Sequence, residues 1–238
     1  MNQKNVFVKG LVDGIPICLG YLSVSFAFGI FAVENGLTAL EALFISMTCV
    51  TSAGQLAAVP IIASCGGLVE LAVSQLVINM RYALMSISLS QKFDENVTTA
   101  DRFAIAFVNT DEVFAVASGQ YGKVSKQYMY GLEITPWLGW ATGTIIGALA
   151  GNILPAVVTS SLGVAIYGMF VAIVVPEVKK SRAVAGCVAI AVALSCLFYF
   201  LPLLKTIPSG FTIIICAVAA SAIMAAVAPI ETEEEAAA

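Results

Sequence analysis

Long apolar stretches separated by charged residues make up nearly the whole chain. We number these stretches as segments by the charged residues that bound them: segment 1 (Asp13 to Glu34), segment 2 (Glu41 to Glu70), segment 3 (Glu70 to Lys92), segment 4 (Arg102 to Lys123), segments 5 and 6 (Glu133 to Glu177, with room for two helices), segment 7 (Arg182 to Lys205) and segment 8 (Lys205 to Glu231). Segments 3 and 4 contain charged residues only near their middle. About 20 apolar residues in a helix cross the core of a bilayer. The spacing therefore predicts an all-α integral membrane protein, a polytopic helical bundle of about eight hydrophobic segments.

The composition excludes a soluble domain. Of 238 residues 60% are hydrophobic and 11% are charged, and the mean hydropathy is +0.96. Soluble domains carry about 25% charged residues. We expect a single transmembrane domain over residues 1–230, followed by an acidic cytoplasmic tail over residues 231–238.

Charge and cysteine usage narrow the function further. Outside the tail, eleven acidic residues balance eleven basic ones, so no basic face for nucleic acid is expected. The six cysteines lie in apolar stretches without a CxxC pair, and the chain has no histidine. We therefore predict no metal site and no cofactor.

The distribution of lysine and arginine predicts the orientation. If all eight segments span the membrane, seven basic residues lie on the side of the amino terminus and three on the other. If segments 2 and 4 are re-entrant, Lys92 and Arg102 change sides and the ratio becomes nine to one. Both alternatives place both termini in the cytoplasm under the positive-inside rule.

Two features of segments 1 and 5 concern packing and symmetry. The acid-x-x-Pro steps Asp13–Pro16 and Glu133–Pro136 fit an internal repeat, as transporters often contain, and fit a chance match equally well. Segment 5 carries a ladder of small residues, which predicts close packing against another helix: Gly139, Gly143, Gly147 and Gly151.

Segment 2 places polar residues at helical spacing. Thr48, Thr51, Ser52 and Gln55 recur at i, i+3, i+4 and i+7, which in a continuous helix forms one polar stripe. Such residues either hydrogen-bond between helices or bind a substrate, and we favour binding for Gln55. Gly54 lets another backbone approach.

Segment 3 has an arginine at its centre. An unpaired arginine at this depth costs about 2.5–3.5 kcal/mol, so Arg81 should face a wet cavity or a carboxylate. Gln75, Asn79, Tyr82 and Ser86 share a stripe of the same helix. Asn79 and Arg81 are about 200° apart, so they serve different surfaces or the helix is broken between them.

Segment 4 carries four consecutive polar residues near its middle: Asn109, Thr110, Asp111 and Glu112. On a regular helix they would point in most directions and expose a carboxylate to lipid. We therefore predict a discontinuous helix, because irregular backbone is tolerated at this depth only where it is buried or lines a cavity. Secondary transporters bind substrates and ions at such interruptions.

The depths of Arg81 and of Asp111 with Glu112 match, which allows an ion pair between segments 3 and 4. The sequence leaves open whether Arg81 meets Asp111, Glu112 or the substrate. The pair alone has a purely structural interpretation. Because two acids face one arginine, however, one carboxylate remains to take up and release a proton, and Asp111 and Glu112 are our candidates for proton coupling.

Four motifs in the first half of the chain resemble the AzlC family of branched-chain amino acid exporters. They are DGIP with FAFG in segment 1, SAGQLAAV in segment 2, NMRYALMS in segment 3 and NTDEVFA in segment 4. The site positions that the resemblance implies, carried over by motif, are Gly54, Gln55, Asn79, Arg81, Tyr82, Thr110, Asp111 and Glu112. The resemblance implies a permease of the bacterial inner membrane that exports valine, leucine, isoleucine or similar neutral amino acids. It also implies a small membrane partner of the AzlD type.

Three other classes of function compete with an exporter. An enzyme is disfavoured because the chain has neither histidine nor a Ser-Lys arrangement, and its lysines lie at segment ends. A scaffold subunit would not need charges at mid-membrane depth. A channel or facilitator is the main alternative, because a polar half-helix can also line a pore.

Overall fold

The computed structural model describes residues 3–151, 181–202 and 204–228, together with positions 153, 157, 171, 174–176, 178 and 179. Most of segment 6 and the acidic tail 231–238 lie outside these residues. In the described part the chain is helical, and its one β-bridge pairs Phe93 with Val124. The total of eight segments and the internal repeat thus remain predictions.

Nine α-helices are described, and four of them contain a stretch long and apolar enough to cross a membrane: Lys4–Glu34, Leu68–Ser90, Arg182–Phe200 and Gly210–Val227. The helices are α1 (Gln3–Glu34), α2 (Ala39–Thr48), α3 (Ser52–Ala63), α4 (Leu68–Ser90), α5 (Thr99–Val108), α6 (Asp111–Ser118), α7 (Lys126–Gly151), α8 (Arg182–Phe200) and α9 (Ser209–Val227).

Helices α1 and α7 run parallel and pack backbone to backbone along their length. At one end Gly10 lies against the Tyr128 carbonyl, and nineteen residues later Gly29 lies against the Thr144 carbonyl. The glycine ladder of segment 5 faces α1, which confirms the close packing expected of it: Gly139 meets Cys18, Gly143 meets Ser25, Gly147 meets Phe26 and Gly151 meets Ile30.

Gly143→Ala is expected to destabilise the protein by about 1–3 kcal/mol, the usual cost of overpacking. A methyl group at Gly143 would overlap the Ser25 hydroxyl and lie 2.6 Å from the Leu22 carbonyl oxygen. Gly20→Ala is the matched control, because nothing lies within 4 Å of a methyl group there. Alanine should stabilise that helical position by up to about 1 kcal/mol. Thermal unfolding in detergent measures both, and equal melting temperatures would contradict the packing argument.

Segment 2 is a helical hairpin, not a single helix. Ala42 of α2 and Val59 of α3 belong to one hydrophobic cluster with Phe28 of α1. Nearer the turn, Gln55 Nε2 donates to Ser46 Oγ at 2.8 Å. These pairs show that α3 runs antiparallel to α2 and returns to the end from which α2 started.

The polar stripe predicted for segment 2 is wrong, because α2 ends at Thr48 and α3 begins at Ser52. Thr48 is exposed, and its hydroxyl bonds to the Phe44 carbonyl of its own helix. Thr51 is the N-cap of α3, and its Oγ1 accepts from the Gly54 N–H at 3.0 Å. Capping requires an extended backbone at Thr51, which ends the helical periodicity on which the stripe depended.

Segment 4 is also a hairpin, with the interruption where the polar run predicts one. Helix α5 ends at Val108 and α6 begins at Asp111. Arg102 at the start of α5 donates to the Ser90 carbonyl at 2.9 Å, while Lys92 donates to the Ser118 carbonyl at the end of α6. Both ends of the hairpin therefore lie beside the end of α4.

The start of the second hairpin is fixed to α7 by one carboxylate. Asp101 forms a capping box with Thr98, accepts from the Tyr130 hydroxyl at 2.7 Å and pairs with Lys126 at 3.1 Å. These hydrogen bonds, the one from the Thr98 hydroxyl first, hold the pKa of the Asp101 carboxyl well below its usual value.

Asp101→Asn is expected to lower the melting temperature by a few degrees at pH 7. A lowered carboxyl pKa in the folded state contributes stability above the unfolded value of about 4, and this contribution is lost as the pH falls further. The difference between variant and wild type should therefore shrink below about pH 4. Glu95→Gln removes an equal charge from the loop before α5, where the side chain is exposed, and should have no effect. A difference independent of pH would contradict this explanation.

One end of the bundle is rich in basic residues. Lys9 bonds to Gln120 and Lys123 to the Gln91 carbonyl, so the start of α1, the end of α4 and both ends of the second hairpin lie together. This end carries Lys4, Lys9, Lys92, Arg102, Lys123 and Lys126. Since segments 2 and 4 both turn back, the structure has the re-entrant arrangement.

Candidate functional site

The two hairpins enter from opposite ends, and their tips meet between α1, α4 and α7. The first tip comprises Cys49–Thr51 and the second comprises residues 109–110. Thr51 Oγ1 donates to Asn79 Oδ1 of α4 at 2.9 Å, and Asn109 Nδ2 donates to Ser86 Oγ of α4 at 3.1 Å. Helix α4 thus holds both tips with the polar stripe predicted for segment 3.

A cavity of about 400 Å³ lies between the tips and α4. Gln75 Nε2 donates to the Gly54 carbonyl at 2.9 Å, and Asn79 Nδ2 donates to Gln75 Oε1 at 3.1 Å. No residue that lines this cavity in the described structure has a formal charge. We call it the amide cavity, defined by Thr51, Gln75, Asn79, Tyr82, Phe107 and Asn109.

A second cavity of about 430 Å³ lies on the α1 side of the tips. Tyr21 and Trp140 form its wall, with ring centroids 4.8 Å apart in an edge-to-face arrangement. Ser52 at the start of α3 and Glu112 near the start of α6 supply its polar groups. We call it the aromatic cavity, defined by Ile17, Tyr21, Val24, Ser52, Glu112 and Trp140.

The hydroxyl of Tyr21 connects α1 to the second tip. It lies 2.7 Å from Thr110 Oγ1 and 2.5 Å from Glu112 Oε2. Because a phenol has one hydrogen, an ionised Glu112 must accept it, whereas a protonated Glu112 can itself donate to Tyr21 while Tyr21 donates to Thr110. The same three groups can therefore stay hydrogen-bonded in both protonation states of Glu112.

Arg81 is paired with Asp111, one of the partners that the matching depths allow. Their closest nitrogen and oxygen atoms are 2.8 Å apart, and the Arg81 guanidinium also donates to the Tyr82 hydroxyl at 3.0 Å. The side chains are 55% and 44% exposed. Helix α4 is continuous through Asn79 and Arg81, so these two residues serve different surfaces.

Gln55 is placed differently from the other candidates. It is fully buried, its Nε2 donates to Ser46, and its Oε1 accepts from Trp140 Nε1 at 3.0 Å. Ser46 in turn is 2.7 Å from Thr144 Oγ1. Gln55 thus joins α3 to α2 and α7 and lines neither cavity.

The structure sorts the remaining candidates into two groups. Thr51, Asn79 and Tyr82 line the amide cavity, whereas Ser52 and Glu112 line the aromatic cavity. The backbone of Gly54 bonds to both Thr51 and Gln75.

Sequence reasoning missed Tyr21 and Trp140. Both are aromatic residues in apolar stretches, where large side chains usually serve packing, and their polar atoms find partners only through the tertiary fold. Tyr21 lies 89 residues from Thr110, and Trp140 lies 85 residues from Gln55. No spacing rule within one helix could have shown these contacts.

Comparison with known proteins gives one family and several relatives. Residues 16–154 match the family model described as AzlC protein. The chain is 28% identical over 197 residues to the inner membrane protein YgaZ of Escherichia coli, covering 79% of this chain and 80% of the relative. It is 30% identical over 197 residues to a membrane protein of Archaeoglobus fulgidus, covering 82% and 86%. A membrane protein of Helicobacter pylori is 26% identical over 153 residues, covering 61% and 66%. No solved structure matches.

Proposed function

The chain belongs to the AzlC family of membrane proteins, and we propose that it is a secondary transporter that exports branched-chain or similar neutral amino acids across the bacterial inner membrane. The observation that carries this proposal is the meeting of two opposed hairpin tips beside the Arg81–Asp111 pair. Interrupted helices at this depth are the usual binding elements of secondary transporters.

The site has the chemistry that a neutral amino acid requires. A zwitterion needs donors for its carboxylate, and these are available from Arg81 and from the amino ends of α3 and α6, where backbone N–H groups point outward. It needs acceptors for its ammonium group, which Asp111, amide oxygens or backbone carbonyls can supply. The aliphatic side chain needs only apolar walls, so the choice among valine, leucine and isoleucine rests on the family resemblance.

Proton coupling is the second part of the proposal. Asp111 already balances the charge of Arg81, so Glu112 is the remaining carboxylate. Its contact with Tyr21 at 2.5 Å supports either protonation state. We therefore propose that Glu112 carries the proton and that Asp111 holds the second tip on α4.

The proposed setting follows from charge distribution and family. The lysine-rich end, which includes the start of α1, faces the cytoplasm under the positive-inside rule, and both termini lie on this side. The protein is not an enzyme in this proposal. It works with a small AzlD-type subunit in the lipid bilayer.

Export is tested in cells that lack the genes for this chain and for its small partner and that are loaded with a leucine-containing dipeptide. Cells that receive the chain with its small partner should release leucine faster and accumulate less of it than cells with either protein alone. Intracellular and extracellular leucine are measured over time. Equal accumulation in all strains would refute the exporter.

The same assay separates a transporter from a channel or facilitator. A proton-coupled exporter stops net export against a gradient when a protonophore is added. Leucine release that ignores the protonophore and follows only the leucine gradient would support the channel or facilitator. Partner binding without any change in leucine flux would support a scaffold.

A further inference from the structure

An unpaired hydrogen-bond acceptor is buried beside the amide cavity. Asn109 lines this cavity and is 4% exposed. Its Nδ2 donates to Ser86 Oγ, and its Oδ1 has no hydrogen-bond partner in the described structure. Buried acceptors are nearly always paired, so this oxygen lacks a donor, and the cavity that Asn109 lines is the space from which a ligand can supply one when the amide turns toward it.

Two other oxygens in the cavity keep free acceptor capacity. Amide and hydroxyl oxygens each have two lone pairs. Asn79 Oδ1 accepts from Thr51 Oγ1, and Thr51 Oγ1 accepts from the Gly54 N–H, so one lone pair remains on each. Gln75 Oε1 is filled, because it accepts from Asn79 Nδ2 and from the Cys49 thiol. With Asn109 Oδ1, the cavity therefore presents three neutral acceptors around one space.

The backbone adds a negative potential without a formal charge. Helix α2 ends at Thr48 and α5 ends at Val108, and residues adjoining both ends line the cavity. The carboxyl end of a helix carries about half a negative charge and the amino end about half a positive one. The amino end of α3, whose N-cap Thr51 also lines the cavity, offsets one of the two carboxyl ends, and the other favours a cation. Half-helix ends coordinate cations in this way in secondary transporters.

The shape of the cavity indicates what kind of cation fits. A volume of about 400 Å³ exceeds what a bare ion needs, and Val50, Ala106 and Phe107 add apolar walls. A cation attached to an aliphatic body matches both parts. A primary ammonium group suits the oxygens because it donates up to three hydrogen bonds.

We propose that the amide cavity binds the primary ammonium group of the transported amino acid, with Asn109 Oδ1 accepting one of its N–H hydrogens. This inference rests on the proposed transport of neutral amino acids and deepens it. It removes the need for Asp111 or Glu112 to bind the ammonium group, since Arg81 and Tyr21 already engage these carboxylates.

The test uses two half-substrates that share the side chain of leucine. 3-Methylbutylamine keeps the ammonium group and lacks the carboxylate, whereas 4-methylpentanoate keeps the carboxylate and lacks the ammonium group. Binding of each to the full-length chain in nanodiscs is measured by calorimetry. Asn109→Leu should weaken amine binding about tenfold or more, the usual effect of losing a hydrogen bond to a charged group, and leave 4-methylpentanoate unaffected.

Two further variants control for folding and for charge. Asn109→Asp restores an acceptor and should bind the amine at least as tightly as the wild type. Asn96→Leu makes the same asparagine-to-leucine change at an exposed loop position and should have no effect on the binding of either half-substrate.

The inference is overturned if the wild-type protein does not bind the amine, or if Asn109→Leu binds it as the wild type does. It is also overturned if this variant loses both half-substrates equally, because that result indicates a collapsed site. Amine binding that depends on Asn109, in a protein that does not export leucine, would refute the proposed function and leave this inference standing.

Discussion

Asp111→Asn is expected to abolish export, and removal of Arg81 in the same protein should restore folding without restoring export. The single variant leaves the Arg81 guanidinium without its partner, which lies 2.8 Å away in the wild type. An unpaired arginine within the membrane costs about 2.5–3.5 kcal/mol, so the population of the native arrangement should fall about a hundredfold. Arg81→Gln combined with Asp111→Asn removes both charges and with them this cost.

Comparison of the single variants with the double variant shows whether the Arg81–Asp111 ion pair is only structural or also takes part in transport. Folded protein is measured by its yield and melting temperature, and export by leucine release, in the wild type, both single variants and the double variant. A structural pair predicts that the double variant recovers both folding and export. Our proposal predicts recovery of folding alone, because Arg81 also serves as a donor for the substrate carboxylate.

Glu112→Gln is expected to remove proton coupling while leaving amino-acid exchange intact. Glutamine keeps an oxygen that can accept from the Tyr21 hydroxyl, which is 2.5 Å from the carboxylate in the structure, but it cannot take up a proton. One proton driven by 100 mV supplies about 2.3 kcal/mol, enough to sustain a gradient of about 50-fold. The variant should collapse this gradient to unity.

Proteoliposomes with an imposed membrane potential measure the final gradient, and exchange of labelled for unlabelled leucine measures the remaining activity. Tyr21→Phe keeps the carboxyl group and should slow transport while reaching the wild-type gradient. Glu34→Gln is the control, because Glu34 is exposed at the end of α1. A wild-type gradient in Glu112→Gln would show that Glu112 does not carry the proton. The same result in Asp111→Asn as well would refute proton coupling through either residue.

Much of the candidate site could be predicted where one segment contains residues that a regular apolar helix in a membrane cannot accommodate. Four consecutive polar residues at 109–112 cannot all face protein on a regular helix, and the helix is interrupted there. An arginine amid apolar residues needs a counter-charge, and Asp111 supplies it. The glycines of α7 predicted close packing, and α1 is the helix that they contact.

The continuous helix predicted for segment 2 is wrong, because Thr51 caps α3 and interrupts the stripe. Glu70 lies in the first turn of α4, where segment 3 is predicted to begin, but it is buried and accepts from the Gly210 N–H of α9 at 2.8 Å. Glu133, which is predicted to begin segment 5, lies within α7 and is 4% exposed.

The sequence by itself determined the membrane class, the interruption of segment 4 and the charges that must meet, because these follow from composition and from the cost of unpaired polar groups in lipid. Only the tertiary structure decided that segments 2 and 4 turn back and that their tips form two cavities. Hydropathy measures the length of an apolar run, and a run that crosses the membrane has the same length as one that turns back halfway. The direction that the chain takes after each interruption depends on contacts with residues far away in the sequence. Val59 packs in one cluster with Phe28, and Thr110 is hydrogen-bonded to Tyr21.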